Sequence, residues 1–224
     1  MRIRCVAFDV DDTLYLERDY VRSGFSAVGS LARQHFGVED FAARAWAHFV
    51  DGVRGSIFDH VFADLGIDLV AADLAALVDC YRTHEPAISL AADARDCLQQ
   101  MHGRMPLAVI TDGPAASQHA KVRALGLSNW MRTVVATADL GPALGKPDPA
   151  AFALVEDRCA VPGAACSYVA DNPHKDFAGA KGRGWTTVRV RRAGGLHRDA
   201  PSDTFVDHEL PDLSQLLAHI EAIA

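Results

Sequence analysis

Three aspartates directly follow a short apolar segment near the start of the chain. The segment Cys5 to Phe8 predicts a buried strand, and Asp9, Asp11 and Asp12 come immediately after it. In open α/β folds, sites form where the strands end at the carboxyl edge of the sheet. Asp9 and Asp11 would point the same way, and carboxylates that close repel unless a cation or a shared proton separates them. This pattern indicates a nucleophile and a general acid/base around a divalent metal ion.

Acidic pairs after strands also occur as loop caps or solvated turns, so the first segment is not decisive alone. A second apolar run, 107–111, ends at Thr111 and turns through Asp112 and Gly113 into a helix. Pro114 suits the first helical position, which would leave the N–H groups of Asp112 and Gly113 for an anion. The Thr111 hydroxyl would be a further donor. The alternative interpretation is a threonine that ends a strand and an aspartate that caps a helix.

Two later segments add a cation and more carboxylates. In 145–149, GKPDP, a glycine and two prolines restrict the loop, and Lys146 is predicted to supply a fixed positive charge. The predicted strand 167–170 ends at Asp171, whose carboxylate suits Mg²⁺. Asp176 follows at a predicted helix start, where it could simply favour the helix N-terminus, so we place it behind the metal ligands.

These four segments, in this order, resemble the haloacid dehalogenase-like (HAD) hydrolase superfamily over nearly the whole chain. The resemblance implies that Asp9 is the nucleophile and Asp11 the general acid/base. It implies that Thr111 and Lys146 bind the phosphate, and that Asp9, Asp171 and the backbone carbonyl of Asp11 bind Mg²⁺. One departure is Ala170, where many members have glycine; alanine costs little if the backbone there is extended.

Composition is compatible with a soluble enzyme. The chain has 224 residues and a net charge of −7 without a basic run, which argues against a nucleic-acid partner. The predicted first strand begins almost at once, which leaves no room for a signal peptide, and no apolar stretch is long enough to span a membrane. The five cysteines form no metal-binding spacing and predict buried free thiols in a reducing cytoplasm.

The pattern of the remaining chain predicts a Rossmann-like parallel sheet with helices on both faces and an inserted all-helical domain. From about residue 16 to 84 the spacing is helical with glycine breaks, whereas strands and helices alternate after it. Predicted elements after residue 106 are strands 107–111, 133–136, 167–170 and 186–190, and helices up to 125, over 150–159, over 177–183 and over 213–223. We therefore assign 1–15 and 86–224 to the core and 16–85 to the insertion, which the resemblance implies is a cap.

Residues that set specificity are harder to predict. Aromatic stripes on the inserted helices are more often core than pocket, and arginines there are usually solvated. Arg54, between Gly52 and Gly55, is our candidate because loops at a cleft carry specificity. The basic strip 189–192 is predicted to be an exposed strand end and loop.

The resemblance implies a Mg²⁺-dependent phosphatase that hydrolyses a small phosphorylated metabolite through an aspartyl-phosphate. A sugar phosphate or a nucleoside monophosphate would fit, and the sequence does not choose between them. A phosphomutase of the same fold is the alternative. A dehalogenase is disfavoured because the dehalogenases of the family lack the aspartate present here as Asp11, and a non-catalytic phosphometabolite-binding protein is the remaining class. The oligomeric state is not readable from the pattern.

Overall fold

The computed structural model describes residues 2–223 and divides the chain into two compact units. One unit comprises residues 1–17 and 88–224, and the other residues 18–87. The boundaries predicted from the sequence lie between residues 15 and 16 and between residues 85 and 86. No helix among residues 2–223 is long and apolar enough to cross a membrane.

The first unit is built on a six-stranded parallel sheet of order β3-β2-β1-β4-β5-β6. Its strands are β1 (Cys5–Phe8), β2 (Leu107–Thr111), β3 (Thr133–Ala136), β4 (Cys166–Ala170), β5 (Thr186–Val190) and β6 (His208–Leu210). The strands β1, β2 and β4 are buried throughout, as expected for a sheet covered on both faces. The predicted Rossmann-like parallel sheet is confirmed.

Helices connect the strands of this unit. They are α5 (Ala92–Met101), α6 (Ala115–Ala124), α7 (Ala150–Cys159), α8 (Phe177–Gly182) and α9 (Leu216–Ala222). Side chains of α7 and α8, with Phe152 and Phe177 among them, form one apolar cluster with the β1 residues Cys5 and Ala7 and with Tyr168 of β4. Because the strand order reverses between β1 and β4, their carboxyl ends flank the crevice where open α/β folds bind ligands.

The second unit is helical and has a core of its own. It contains α1 (Glu17–Phe36, which begins in the first unit), α2 (Phe41–Val50), α3 (Ile57–Asp64) and α4 (Ala71–Thr83). Phe25, Phe41, Phe58 and Phe62 form a chain of ring contacts between its helices, with centroids 5.5 to 6.2 Å apart. Val50, the last residue of α2, is 61% exposed.

Candidate active site

Asp9 is the first residue after β1 and lies almost completely buried. Its backbone N–H donates to the Val169 carbonyl at 2.9 Å, which joins the end of β1 to β4. The Lys146 ammonium donates to Asp9 Oδ1 at 2.6 Å. Burial raises the pKa of Asp9 to about 6, and the positive charge of Lys146 limits that rise. The arrangement presents a carboxylate that is shielded from bulk water beside a fixed cation.

Lys146 is enclosed by acidic and polar groups. Its ammonium also lies 2.6 Å from Asp176 Oδ1 and donates to the Tyr168 hydroxyl at 3.0 Å. Burial alone would lower the pKa of Lys146, but Asp176 and Asp9 outweigh it and hold that pKa well above its usual value. The lysine is therefore held in its charged form. The sequence of the GKPDP loop predicts such a fixed positive charge.

Three carboxylates converge at this point. Asp9, Asp171 and Asp176 each offer one oxygen, and these oxygens lie within 4.8 Å of one another. Burial, followed by the negative charges of Asp176 and Asp9, raises the pKa of Asp171 to about 9. A divalent cation would relieve the repulsion that disfavours the ionised forms, and oxygen ligands of this type fit a hard cation such as Mg²⁺. Asp176 is fully buried beside Asp9 and Asp171, and its predicted position behind the metal ligands stays a prediction.

The Asp11 side chain is outside this carboxylate cluster and has its own partners. Lys121 donates to both carboxylate oxygens at 2.7 Å, the Tyr15 hydroxyl donates to Oδ1, and the Gln118 amide lies 3.5 Å from Oδ2. Burial alone would raise the pKa of Asp11, but Lys121 and these hydrogen bonds outweigh it and hold the pKa below its usual value. The ionised form of Asp11 is thus favoured here. A role of its backbone carbonyl as a metal ligand stays a prediction.

Thr111 ends β2 and is fully buried. Its hydroxyl donates to the Gln118 side-chain oxygen at 2.6 Å, and Gln118 in turn reaches Asp11. The predicted phosphate-binding hydroxyl is therefore engaged with a neighbouring side chain in this structure. Pro114 has an extended backbone (φ −56°, ψ 129°) and precedes α6, so its prediction as the first helical residue was wrong by one position.

Asp112 holds the loop that carries Lys146. Its carboxylate accepts hydrogen bonds from the Thr137 hydroxyl and, at 3.3 Å, from the Lys146 N–H, and Lys175 lies 3.3 Å away. A Cβ at Gly145 would lie 2.8 Å from Asp112 Oδ1, so only glycine allows this close approach. The Asp112 side chain thus positions the loop of Lys146. The phosphate contact predicted for Asp112 is through its backbone N–H, and it stays a prediction.

Sequence reasoning missed several residues that complete the site. Gln118 and Lys121 are three residues apart on α6, which places both on one helix face, and Tyr15 is four residues after Asp11. This spacing was readable, but polar residues on a helix usually lie in solvent, whereas Lys121 is buried. Asp12 has φ 51°, and its carboxylate accepts the N–H groups of Glu17 and Leu196 at 2.9 and 2.7 Å.

The prediction for the basic strip was wrong. Arg189 is fully buried and Arg192 is 7% exposed, and both donate to backbone carbonyls of the site loops. Burial of a guanidinium destabilises the fold unless its N–H donors are satisfied. The sequence RVRR does not show which arginine side chains will find carbonyl partners.

Arg54 is placed by local contacts in the helical unit. Its guanidinium donates to the carbonyls of Phe49 and Val53, both at 2.7 Å, and lies 4.0 Å from the centre of the Phe49 ring. The first of these bonds satisfies a carbonyl in the last turn of α2, and the second a carbonyl in the loop that follows it. Its predicted role in specificity remains a prediction, and the contacts give the side chain a structural role as well.

Residues 3–184 match the family model of the haloacid dehalogenase-like hydrolases. This match covers both ends of the site, from Asp9 to Asp176. The chain belongs to the haloacid dehalogenase-like hydrolases. The predicted family and the prediction of an enzyme of the hydrolase class are thereby confirmed.

Individual members of the haloacid dehalogenase-like family are similar over nearly the full length. The chain is 28% identical, over 99% of each chain, to a glyceraldehyde 3-phosphate phosphatase of Methanopyrus kandleri. A 2-haloacid dehalogenase of Pseudomonas syringae has a similar structure, with a TM-score of 0.68 and 25% identity over 99% of this chain and 100% of the other. YfnB, a HAD-hydrolase of Bacillus subtilis described bound to magnesium, shares the fold with a TM-score of 0.69, 19% identity and coverage of 98% and 99%.

Proposed function

We propose that the protein is a Mg²⁺-dependent phosphatase that hydrolyses a small phosphorylated metabolite through an aspartyl-phosphate at Asp9. The observation that carries this proposal is the convergence of Asp9, Asp171 and Asp176, two of which, Asp9 and Asp176, also hold the Lys146 ammonium at 2.6 Å. A phosphate ester is anionic, and this site offers a fixed cation and a carboxylate set that fits a second one. The name of the Methanopyrus kandleri relative supports the phosphatase class.

The two aspartates after β1 would divide the reaction between them. A carboxylate oxygen of Asp9 forms a bond to phosphorus as the ester oxygen leaves, and Asp11 gives its proton to that leaving oxygen. Asp11 then accepts a proton from the water that attacks the aspartyl-phosphate, which releases phosphate and regenerates Asp9. The lowered pKa of Asp11 favours its ionised form, which is the form that accepts a proton in the second step. An approaching phosphate dianion would raise the pKa of Asp11, which favours the protonated form that the first step needs.

The remaining groups act on charge and position. Lys146 would neutralise the phosphoryl oxygens, and Asp112 would keep the Lys146 loop in place. Asp9, Asp171 and Asp176 are the residues that would hold Mg²⁺, which supplies additional positive charge for the transferring phosphoryl group when bound.

Phosphate release tests the proposed function directly. The purified protein should release inorganic phosphate from members of a panel of triose phosphates, sugar phosphates and nucleoside monophosphates when Mg²⁺ is present. EDTA should abolish release, excess Mg²⁺ should restore it, and Ca²⁺ should restore little because its larger, looser shell misplaces the reacting oxygen. Full release of phosphate in EDTA would contradict the metal requirement.

A dehalogenase is the second candidate, because the Pseudomonas syringae dehalogenase is similar along the whole chain. Asp11 favours the phosphatase, since an alkoxide that leaves phosphorus needs a proton from a nearby acid, whereas a halide leaves without one. Incubation with 2-haloacids in EDTA distinguishes the two activities. Halide release with no phosphate release from any ester would establish the dehalogenase.

The carboxylate cluster predicts a pH-dependent stabilisation by Mg²⁺. Asp9 and Asp171 have folded-state pKa values raised from 3.8 to about 6 and about 9. A raised carboxyl pKa stabilises the fold below pH ~4, and this contribution is lost as pH rises through the folded pKa. Metal binding would offset the loss, so Mg²⁺ should increase Tm more at pH 8 than at pH 5.

Thermal melts with and without Mg²⁺ at the two pH values measure this difference. Because each comparison with and without Mg²⁺ is made at one pH, the contributions of groups outside the cluster to Tm cancel. Asp171→Asn is the matched control and should show little Mg²⁺ response at either pH. An equal Mg²⁺ shift at both pH values in the wild type would contradict the role of the cluster.

For Arg54, the proposal is that the helical unit selects the substrate while the first unit carries the chemistry. Arg54→Ala should then change the ratio of kcat/KM between a preferred metabolite and p-nitrophenyl phosphate by about 10-fold, since one lost contact is worth ~1–2 kcal/mol. Arg44→Ala, which removes an exposed arginine paired with Asp40, is the matched control. Equal losses on both esters would make Arg54 purely structural.

A further inference from the structure

The segment 189–202, which begins in the last two residues of β5, binds both loops that carry the reactive carboxylates. One of these loops is 9–14, with the candidate nucleophile, and the other begins at Asp171. Four direct hydrogen bonds join the segment to the two loops, and they come from Arg189, Arg192 and the backbone of Leu196. None of these residues is among the groups that would react.

Arg189 connects the segment to Asp171. Its Nε donates to the Asp171 carbonyl at 3.1 Å, and its two terminal nitrogens donate to the His197 carbonyl at 2.6 Å, the Ala200 carbonyl at 3.0 Å and the Ser202 hydroxyl at 2.6 Å. The side chain is 0% exposed. A buried guanidinium satisfied in this way fixes the backbone of Asp171 relative to the turn 197–202.

Arg192 connects the same segment to the nucleophile loop. Its guanidinium donates to the Thr13 carbonyl at 2.7 and 3.2 Å and makes a bidentate pair with Asp93 at 2.7 and 2.8 Å. Four residues after Arg192, the Leu196 N–H donates to the Asp12 carboxylate at 2.7 Å. Since Asp12 has a left-handed backbone, this contact offsets part of the strain in the turn that follows Asp9.

We propose that Arg189 and Arg192 are positioning residues that set the distance between the Asp9 loop and Asp171 through the segment 189–202. The inference rests on the proposed function for its kinetic consequences, but its effect on metal binding does not depend on the substrate. Loss of Arg189 releases one metal-binding carboxylate, and loss of Arg192 releases the loop of the nucleophile. Groups that orient metal ligands typically contribute about 10- to 100-fold to metal affinity or activity.

Lysine substitutions test the proposal because they keep the charge and lose the multiple donors. Arg189→Lys should weaken Mg²⁺ binding, measured by titration calorimetry, by about 10-fold or more, and Arg192→Lys should lower kcat by a similar factor with KM changed less. Arg183→Lys is the matched control, since Arg183 makes a comparable bidentate pair with Glu156 at 2.7 and 2.8 Å in the same unit. It should leave both quantities within about twofold of the wild type.

Gly195→Val is a second variant that keeps both arginines. A Cβ at Gly195 would lie 3.1 Å from the Arg192 carbonyl and 3.5 Å from Asp12, so valine should displace the segment from the nucleophile loop. We expect a lower kcat in a protein that still melts cooperatively. The proposal is overturned if Arg189→Lys, or Gly195→Val should Arg189→Lys not fold, shows wild-type Mg²⁺ affinity and kcat. Wild-type protein that binds Mg²⁺ but releases no phosphate would instead contradict the proposed function alone.

Discussion

Asp9→Asn should lower kcat for every phosphate ester by on the order of 10³-fold or more. The substitution keeps the shape of the side chain but removes the charge that would attack phosphorus, and no other carboxylate occupies its place at the end of β1. The fold should persist, because the ionised form of Asp9 is disfavoured by burial and Lys146 keeps its contact with Asp176. Stopped phosphate-release assays at saturating substrate would measure the loss.

Two further measurements separate chemistry from folding in this variant. The Tm of Asp9→Asn at pH 8 should be equal to or above that of the wild type without Mg²⁺, since one of three repelling carboxylates is removed. Beryllium fluoride, which mimics an acyl-phosphate, should bind the wild type and not the variant. Asp157→Asn, an exposed change on α7, serves as the control, and near-normal turnover by Asp9→Asn would falsify the mechanism.

Lys146→Met should reduce both activity and stability. Methionine has a similar length but no charge, so Asp9 and Asp176 would be left buried without their cation. Breaking a buried ion pair from one side costs about 3–5 kcal/mol, and losing a fixed charge at a transferring group costs about 10²- to 10³-fold in kcat. The loss should be alike for all esters, because each presents the same phosphoryl oxygens.

The destabilisation by Lys146→Met should also depend on pH. At pH 5 Asp9, whose pKa is raised by burial to about 6, can become neutral by taking up a proton, so the decrease in the free energy of unfolding should be smaller than at pH 8. Urea melts at the two pH values measure it. Lys181→Met removes a half-exposed partner of Asp207 and should cost no more than about 1 kcal/mol at either pH. Equal effects of the two substitutions would mean that Lys146 is not a partner of the cluster.

The strands and the ends of the sheet were predictable because their apolar runs are short, continuous and stopped by polar residues. The run from Leu107 stops at Thr111, and the run before Asp171 stops at that carboxylate, as the strands do. Helix α5 was not predicted, although its buried residues Ala94, Cys97, Leu98 and Met101 recur at i, i+3, i+4 and i+7, the spacing of an amphipathic helix. The three-residue strand β6 is too short to give a pattern.

The position of the candidate site was predictable from the order of several segments and not from any single residue. Asp9 and Asp171 each follow a buried strand and Lys146 lies 2.6 Å from Asp9, so the three meet at the sheet edge, as the order of the segments and the family resemblance predict. Lys121 and Arg189 were missed, because the partners that make their burial tolerable are more than 100 residues and 18 residues away in the chain. Such long-range satisfaction is a property of the fold and not of local spacing.

The parallel order of the sheet has a consequence for synthesis and folding. Val6 of the central strand β1 pairs with Leu107 on one side and Ser167 on the other, about 100 and about 160 residues later. Such distant pairing implies high contact order and slow folding. During translation β1 is synthesised before both of its neighbours, so a nascent chain stalled before residue 171 would carry the proposed nucleophile Asp9 without the Asp171 carboxylate.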